Sequence, residues 1–497
     1  MKSIYVIKDK DLGFEALIHI WQNEPKIALS NALIEKVILG RKHLEQILAK
    51  NEQAIYGINT GFGSLCNTVI PEKQLDLLQI NLIRSHACGS SKLRSIRSSR
   101  LILLLKIISL SKGNSCVRIE IVQFLIWLYN ENIIPCIPEM GSLGASGDLA
   151  PLAHMSLPII GEGEVWYQGV ITPTFELVLN HVIALPGLKA KEGLALLNGT
   201  QYSLSLLLES CFKAKMIYTQ SNLIAALSME AFNASTDFLN PELNQIRRQL
   251  GQIETAKSIS EILKGSELYT RTRSTVQDPY SFRCIPQVHG ASLDVILYCI
   301  DIINREINSV TDNPVLIEDR LILSGGNFHA QPLGFASDFL GIALAELGNI
   351  SERRIYQLIS GSRDLPEFLT NNPGLNSGYM IVQYAAAGYV SINKQFASPS
   401  SVDSIVTSKG QEDHVSMAAN AGLKCEMIAK NVQFVMAMEW MTAVRAWSFR
   451  TDWKLNTLLN DKVLQYLEQV PLIEDDHIPS LQYDTTIEFL ENKCSQV

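Results

Sequence analysis

The chain of 497 residues has no run of 18 uninterrupted apolar residues, the length needed to cross a bilayer as a helix. Its greasiest stretches, residues 101–110 and 121–129, carry Lys106 and Gln123 and read as buried helices. The N-terminus, MKSIYVIKDKDLGF, has charges where a secretion signal needs an apolar stretch, so neither secretion nor a membrane partner is expected. The nine cysteines never pair as C-x-x-C, and a reduced, cytoplasmic chain with scattered thiols is the expectation. A basic block is also missing: the net charge of −8 is spread along the chain, and nothing asks for nucleic acid. The common signatures are absent too. Residues 141–147, GSLGASG, break the dinucleotide pattern G-x-G-x-x-G at its second glycine, and Asp148 stands where G-x-S-x-G needs its last glycine. There is no Walker loop and no H-E-x-x-H, so no metal site is expected.

Punctuation is scarce in the second half. No Gly or Pro occurs between Thr200 and Asn240 or between Ala291 and Asn313, and no Pro between Ser400 and Val470. Such stretches predict very long helices, which cannot bury themselves alone and must pack as a bundle, including between subunits. Residues 30–50, 74–86 and 95–110 also have helical character, whereas strand-like runs such as 164–170 are few. The expected fold class is mainly α. A mixed N-terminal region, 1–200, precedes a long-helix region, 201–497, with no clear linker.

Two glycine-rich breaks interrupt the N-terminal region: residues 56–63, YGINTGFG, and residues 141–147. The second contains Ala145-Ser146-Gly147. If this backbone bends tightly, the Gly147 amide nitrogen can attack the Ala145 carbonyl carbon and close a five-membered ring with loss of water. Loss of a second water from Ser146 leaves an exocyclic methylidene, a strong electrophile. Glycine supplies an unhindered nitrogen and tolerates strained dihedrals, serine has a hydroxyl to eliminate, and alanine is small enough for the turn. The plain alternative is a small-residue turn before a helix, with Asp148 as its cap.

The fourteen residues 141–154, GSLGASGDLAPLAH, resemble the cofactor signature of the aromatic amino acid lyase family, which includes ammonia-lyases for histidine, phenylalanine and tyrosine and related aminomutases. Further segments resemble the same family: 56–63, 81–89 (NLIRSHACG), 192–201 (EGLALLNGTQ), 277–284 (QDPYSFRC), 324–330 (SGGNFHA), 351–355 (SERRI) and 401–417 (SVDSIVTSKGQEDHVSM). The resemblance runs from about residue 30 to about residue 450. It implies a long-helix bundle of the aspartase/fumarase-like type, a methylidene-imidazolone cofactor made from residues 145–147, and a homotetramer whose active sites draw on several chains. The implied reaction removes ammonia together with a barely acidic β-proton, helped by addition of either the substrate amine or its ring to the electrophile.

The resemblance also implies roles. Tyr56, on a glycine-rich lid, would take the β-proton, for which its pKa of about 10 would have to be lowered by its site. Arg283 would clamp the substrate carboxylate. Tyr280 and Gln277 would complete the polar shell, Asn198 would lie beside the cofactor, and Phe328 would pack on the cofactor or substrate ring. Two positions bear on the substrate. Ser85-His86 is the pattern of the family's histidine enzymes, shared with some tyrosine lyases and aminomutases. Glu412 aligns with the family's imidazole-binding glutamate: a carboxylate accepts from an imidazole N–H, but against a phenyl ring it would be desolvated without a partner. His86 would bind the substrate carboxylate or imidazole. L-Histidine is therefore the expected substrate and urocanate the product. A tyrosine lyase, an aromatic 2,3-aminomutase and an inactive helical scaffold are the alternatives. One departure stands out: the family's usual glycine-valine-glycine after His86-Ala87 is Gly89-Ser90-Ser91 here.

Overall fold

The unpunctuated stretches become long helices in the computed structural model, which describes residues 3–50, 55–318 and 321–495. Four of these helices are Gln201–Phe232, Ile285–Ile307, Gln331–Ile359 and Ala418–Trp447. The first stops eight residues before Asn240 although no Gly or Pro intervenes. Asn233 ends it: this residue adopts φ 56°, its N–H bonds to the Glu230 carbonyl, and the Ala234 N–H reaches back to Met229. That is the two-bond left-handed cap usually built on glycine, made here by a side chain that tolerates the conformation. The helix Gln331–Ile359 is long and apolar enough to cross a bilayer by length and composition, but 72% of its most apolar stretch is buried inside the fold.

The earlier helices fall where periodicity places them, at Asn31–Lys50, Leu75–His86 and Ile96–Leu110. Ser95 caps the last by accepting the Ser98 amide. Strands are short. The run at 164–170 is one arm of a hairpin, Glu164–Tyr167 against Val170–Pro173, turning at Gln168 and Gly169, both with positive φ.

Contacts divide the chain into two compact units, each discontinuous in sequence. The first comprises Met1–Leu208, Ile300–Ser337 and Pro399–Leu423. It holds all the described strands and both glycine-rich loops. Its core includes a cluster of Leu44, Ile58, Cys116, Ala190 and Leu316. Ile58 lies inside the 56–63 loop, so burying it pins the loop two residues from Tyr56.

The second unit comprises Glu209–Cys299, Asp338–Ser398 and Lys424–Val497. A buried ion pair organises it: Arg354 donates through Nε to Glu439 Oε1 (2.6 Å) and through Nη2 to Oε2 (2.8 Å). The remaining carboxylate lone pairs accept from Ser228 and Ser351, which is the condition under which two buried charges are tolerated. His289 joins the network, with Nδ1 2.8 Å from Asn222 Oδ1 and Nε2 3.4 Å from Arg354 Nη1. Several large apolar side chains of this unit are left on its surface, including Leu297, Phe339, Ile342, Ile381 and Tyr384.

Candidate active site

A cavity of about 660 Å³ in the first unit is lined by Tyr56, His86, Ser146, Asn198 and Glu412, with Leu82, Leu149, Leu194 and Leu197 as apolar wall. Five side chains expected to act together thus meet, from segments as far apart as residues 56 and 412. A second cavity, about 510 Å³ against residues 4–12, gathers none of the expected site residues.

The Ala145-Ser146-Gly147 turn is tightly bent. Gly144 and Gly147 both have φ 75°, and Leu149 has φ 45°, a conformation that costs a non-glycine residue about 1–2 kcal/mol. Gly147 lies flat against Gly199: a Cβ at 147 would sit 2.3 Å from the Gly199 carbonyl oxygen, so only glycine fits. The Asp148 amide donates to that same carbonyl at 2.8 Å. Ser146 Oγ donates to Asn198 Oδ1 at 3.2 Å, and Asn198 Nδ2 donates to the Asn313 carbonyl at 2.7 Å. The turn is thus strained, admits only glycine at 147, and has its serine hydroxyl held by an anchored amide.

Asp148 does not cap its own helix. The residue before Ala150–Ser156 is Leu149, with no side-chain cap. Asp148 Oδ2 instead accepts the amides of Tyr202 and Ser203 (2.7 and 3.0 Å), and Oδ1 accepts the Ser203 hydroxyl (2.5 Å). It therefore caps the start of the distant helix Gln201–Phe232, tying the turn to a rigid element. Burial pushes its pKa up to about 6 despite these bonds.

The Tyr56 hydroxyl accepts the Gly63 amide at 3.3 Å. Burial is the largest influence on this phenol and pushes its pKa up; the Gly63 amide opposes, and Glu412 adds to the rise. The lowering expected of a base is thus not supplied by the groups around it here. Glu412 Oε2 accepts the Thr407 hydroxyl at 2.8 Å. Ser64 of the tyrosine loop donates its amide to Ser408 Oγ at 3.2 Å, so the loops bearing Tyr56 and Glu412 are stitched together. His86 Nδ1 lies 2.9 Å from the Leu82 carbonyl, which can only accept; the proton is therefore assigned to Nδ1 and Nε2 is left as acceptor. Burial lowers the pKa of His86, favouring that neutral form.

The departure at 89–91 has a structural consequence. Ser91, at a position where the family usually has glycine, holds φ 76° in the irregular part of the Ser90–Leu93 strand paired with Pro138–Met140. Gly89 donates its amide to His154 Nε2 at 3.0 Å.

Of the other expected residues, Ala145 and Gly147 flank Ser146 in the turn without lining the cavity, and four more lie elsewhere. Phe328 is half-buried elsewhere in the first unit. Gln277, Tyr280 and Arg283 belong to the second unit. Tyr280 is 69% exposed, and the Arg283 guanidinium stacks on its ring at 4.4 Å. Arg283 Nε is buried without a hydrogen-bond partner among the described residues. Sequence reasoning also missed Lys106, Thr407 and Ser408. Only Lys106 left a signal, as a lysine within an otherwise apolar helical run.

Comparison with known proteins places the chain in a family. The model of the aromatic amino acid lyase family matches residues 12–469. A histidine ammonia-lyase of Caldanaerobacter subterraneus is 43% identical over 480 residues, covering 96% of this chain and 94% of the relative. Among solved structures, a histidine ammonia-lyase from Trypanosoma cruzi superposes with a TM-score of 0.91 at 34% identity, over 99% of this chain and 94% of that one. A phenylalanine aminomutase from Pantoea agglomerans superposes with a TM-score of 0.93 at 29% identity, over 99% of this chain and all of that one. The mainly α, long-helix architecture expected from the sequence is the fold of these structures. The chain belongs to the aromatic amino acid lyase family and is a carbon–nitrogen lyase.

Proposed function

We propose that this chain removes ammonia from L-histidine to give urocanate. The observation that carries the reading is Glu412, a carboxylate facing the same cavity as Ser146, Asn198 and Tyr56. Its Oε2 is already engaged by Thr407, which fixes the group and leaves lone pairs for an imidazole N–H. A phenyl ring in that place would strip water from the carboxylate and return nothing, at a cost of several kcal/mol. The methylidene-imidazolone derived from residues 145–147 would supply the electrophile.

The chain's own residues do the rest. Tyr56 takes the β-proton. Burial, with Glu412 adding to it, favours its protonated phenol, and the positive amine of a bound amino acid would favour the phenolate when it is needed. Asn198, anchored through Asn313, orients groups at Ser146. Neutral His86 presents Nε2 as an acceptor, which suits a substrate N–H better than a carboxylate. Carboxylate binding falls to Arg283, whose unpartnered Nε is ready for an anion. Exposed apolar side chains on helices of the second unit, including Leu297, Phe339 and Ile342, support association into a homotetramer, in which another subunit would provide Arg283, Tyr280 and Gln277. The nine free thiols fit a cytoplasmic enzyme.

The test is ultraviolet absorbance of purified protein with L-histidine, L-tyrosine and L-phenylalanine side by side. Growth of the urocanate band with histidine alone is expected. Glu412→Gln should lower kcat/KM for histidine by roughly ten- to a hundredfold. A cinnamate-type band would overturn the substrate assignment, and a β-amino acid product would make the chain an aminomutase.

A further inference from the structure

Lys106 is 1% exposed in the helix Ile96–Leu110, among Leu103, Leu104, Ile107 and Leu110, all themselves buried. A buried ammonium is costly, and methionine would fill the space without that cost. Burial pulls the lysine down to about 7, with Lys191 adding to the fall and Asp312 and Asp148 opposing it. Whether charged or neutral, its nitrogen is a donor, and its acceptors are specific: the Asn198 carbonyl at 2.5 Å and Gln201 Oε1 at 3.3 Å. Gln201 is itself held, donating Nε2 to Thr311 at 3.0 Å.

Asn198 and Gly199 form the surface on which the 145–147 turn rests. The Asn198 side chain receives the Ser146 hydroxyl, and the Gly199 backbone abuts Gly147 closely enough to exclude a Cβ. Lys106 grips the carbonyl between them from beneath. We infer that Lys106 is a positioning residue for formation of the electrophile, holding the Asn198-Gly199 backbone rigid while the turn closes against it. The inference rests on reading residues 145–147 as the source of that electrophile. Closure forms a bond between the Gly147 nitrogen and the Ala145 carbonyl carbon. The displaced oxygen leaves as water with the amide hydrogens of Ser146 and Gly147. A second water takes the Ser146 hydroxyl and its α-hydrogen. No oxidant or reductant is needed. The chemistry depends on a compressed turn, and a compressed turn needs a backing that does not yield.

The test is the intact mass, with peptide mapping, of the full-length protein purified at successive times after induction. The parent should have lost two waters completely from the peptide containing 145–147. Lys106→Met should lose them roughly tenfold more slowly, the consequence of one missing hydrogen bond to a buried carbonyl. Lys106→Gln, which keeps a shorter donor, should fall between the two and is read in the same way if Lys106→Met is insoluble. A matched control is Arg271→Met, which strips the partner from buried Glu230 in the second unit (2.7 Å) and should destabilise without slowing the mass change. Full and prompt water loss in the Lys106 variants, or equal slowing in Arg271→Met, would overturn the inference. A parent that never loses two waters would instead overturn the reading of 145–147 on which it rests.

Discussion

Ser91 separates what is chemical from what is inherited backbone at the scale of single residues. Its φ of 76° is a conformation that glycine adopts freely and serine does not, close in sequence to His86 and to the His154 contact made by Gly89. Ser91→Gly should therefore raise stability by about 1 kcal/mol, visible as a higher melting temperature; a lower one would mean that the serine side chain has a bond that compensates the strain. The capacity of Ala145-Ser146-Gly147 for ring closure is local chemistry legible in the sequence, although it is the resemblance of residues 141–154 that singles out this tripeptide. Residues whose partners are distant are not legible in this way. In the plain alternative for this turn Asp148 caps the helix that follows it, but its carboxylate accepts the amides of Tyr202 and Ser203. Tyr56 reads as a base with a lowered pKa, yet its surroundings in this chain raise it. Sequence spacing carries no information on desolvation, because burial is set by what folds over the residue.

Elements show the same division. Helices could be read wherever apolar periodicity and long unpunctuated runs coincide, as in Asn31–Lys50 and Gln201–Phe232, but the end at Phe232 could not, because Asn233 rather than Gly or Pro makes the turn. The helix Ile285–Ile307 carries a consequence for pH. His289 is fully buried, and burial, reinforced by Arg354, holds its pKa well below 6.5. In the unfolded chain it titrates near that value. As pH falls below about 6.5 the unfolded state takes up a proton that the native state refuses, so this contribution to stability is present above that pH and lost below it. Urea unfolding at about pH 7.5 and about pH 5.5 should show the parent losing roughly 1 kcal/mol per pH unit from this site over the lower part of the range, while His289→Gln loses less. Equal slopes in the two proteins would contradict the assignment of a neutral, buried His289.

At the scale of the whole molecule, the second unit leaves large apolar side chains exposed. Exposed Leu297, Phe339, Ile342, Ile381 and Tyr384 are large apolar side chains on helices, the kind of surface that association covers. Arg283, proposed to hold the substrate carboxylate, belongs to the second unit with Tyr280 and Gln277. If those residues come from another subunit, Tyr56→Phe and Arg283→Met chains, each inactive alone, should recover activity when co-expressed, approaching about a quarter of the parental sites under random mixing. No recovery in a verified mixed oligomer would contradict shared sites. This level was legible only as a need: long apolar helices require partners, but neither composition nor period says which faces meet.

The central claim is that Ser146 becomes part of an electrophile on which elimination from histidine depends. The most direct measurement follows ammonia and urocanate release from L-histidine by the parent and by Ser146→Ala, with the intact mass of each. Equimolar ammonia and urocanate are predicted from a parent lighter by two waters, and neither product from a folded Ser146→Ala protein that keeps its full mass. Turnover of histidine by Ser146→Ala at the parental rate would contradict it.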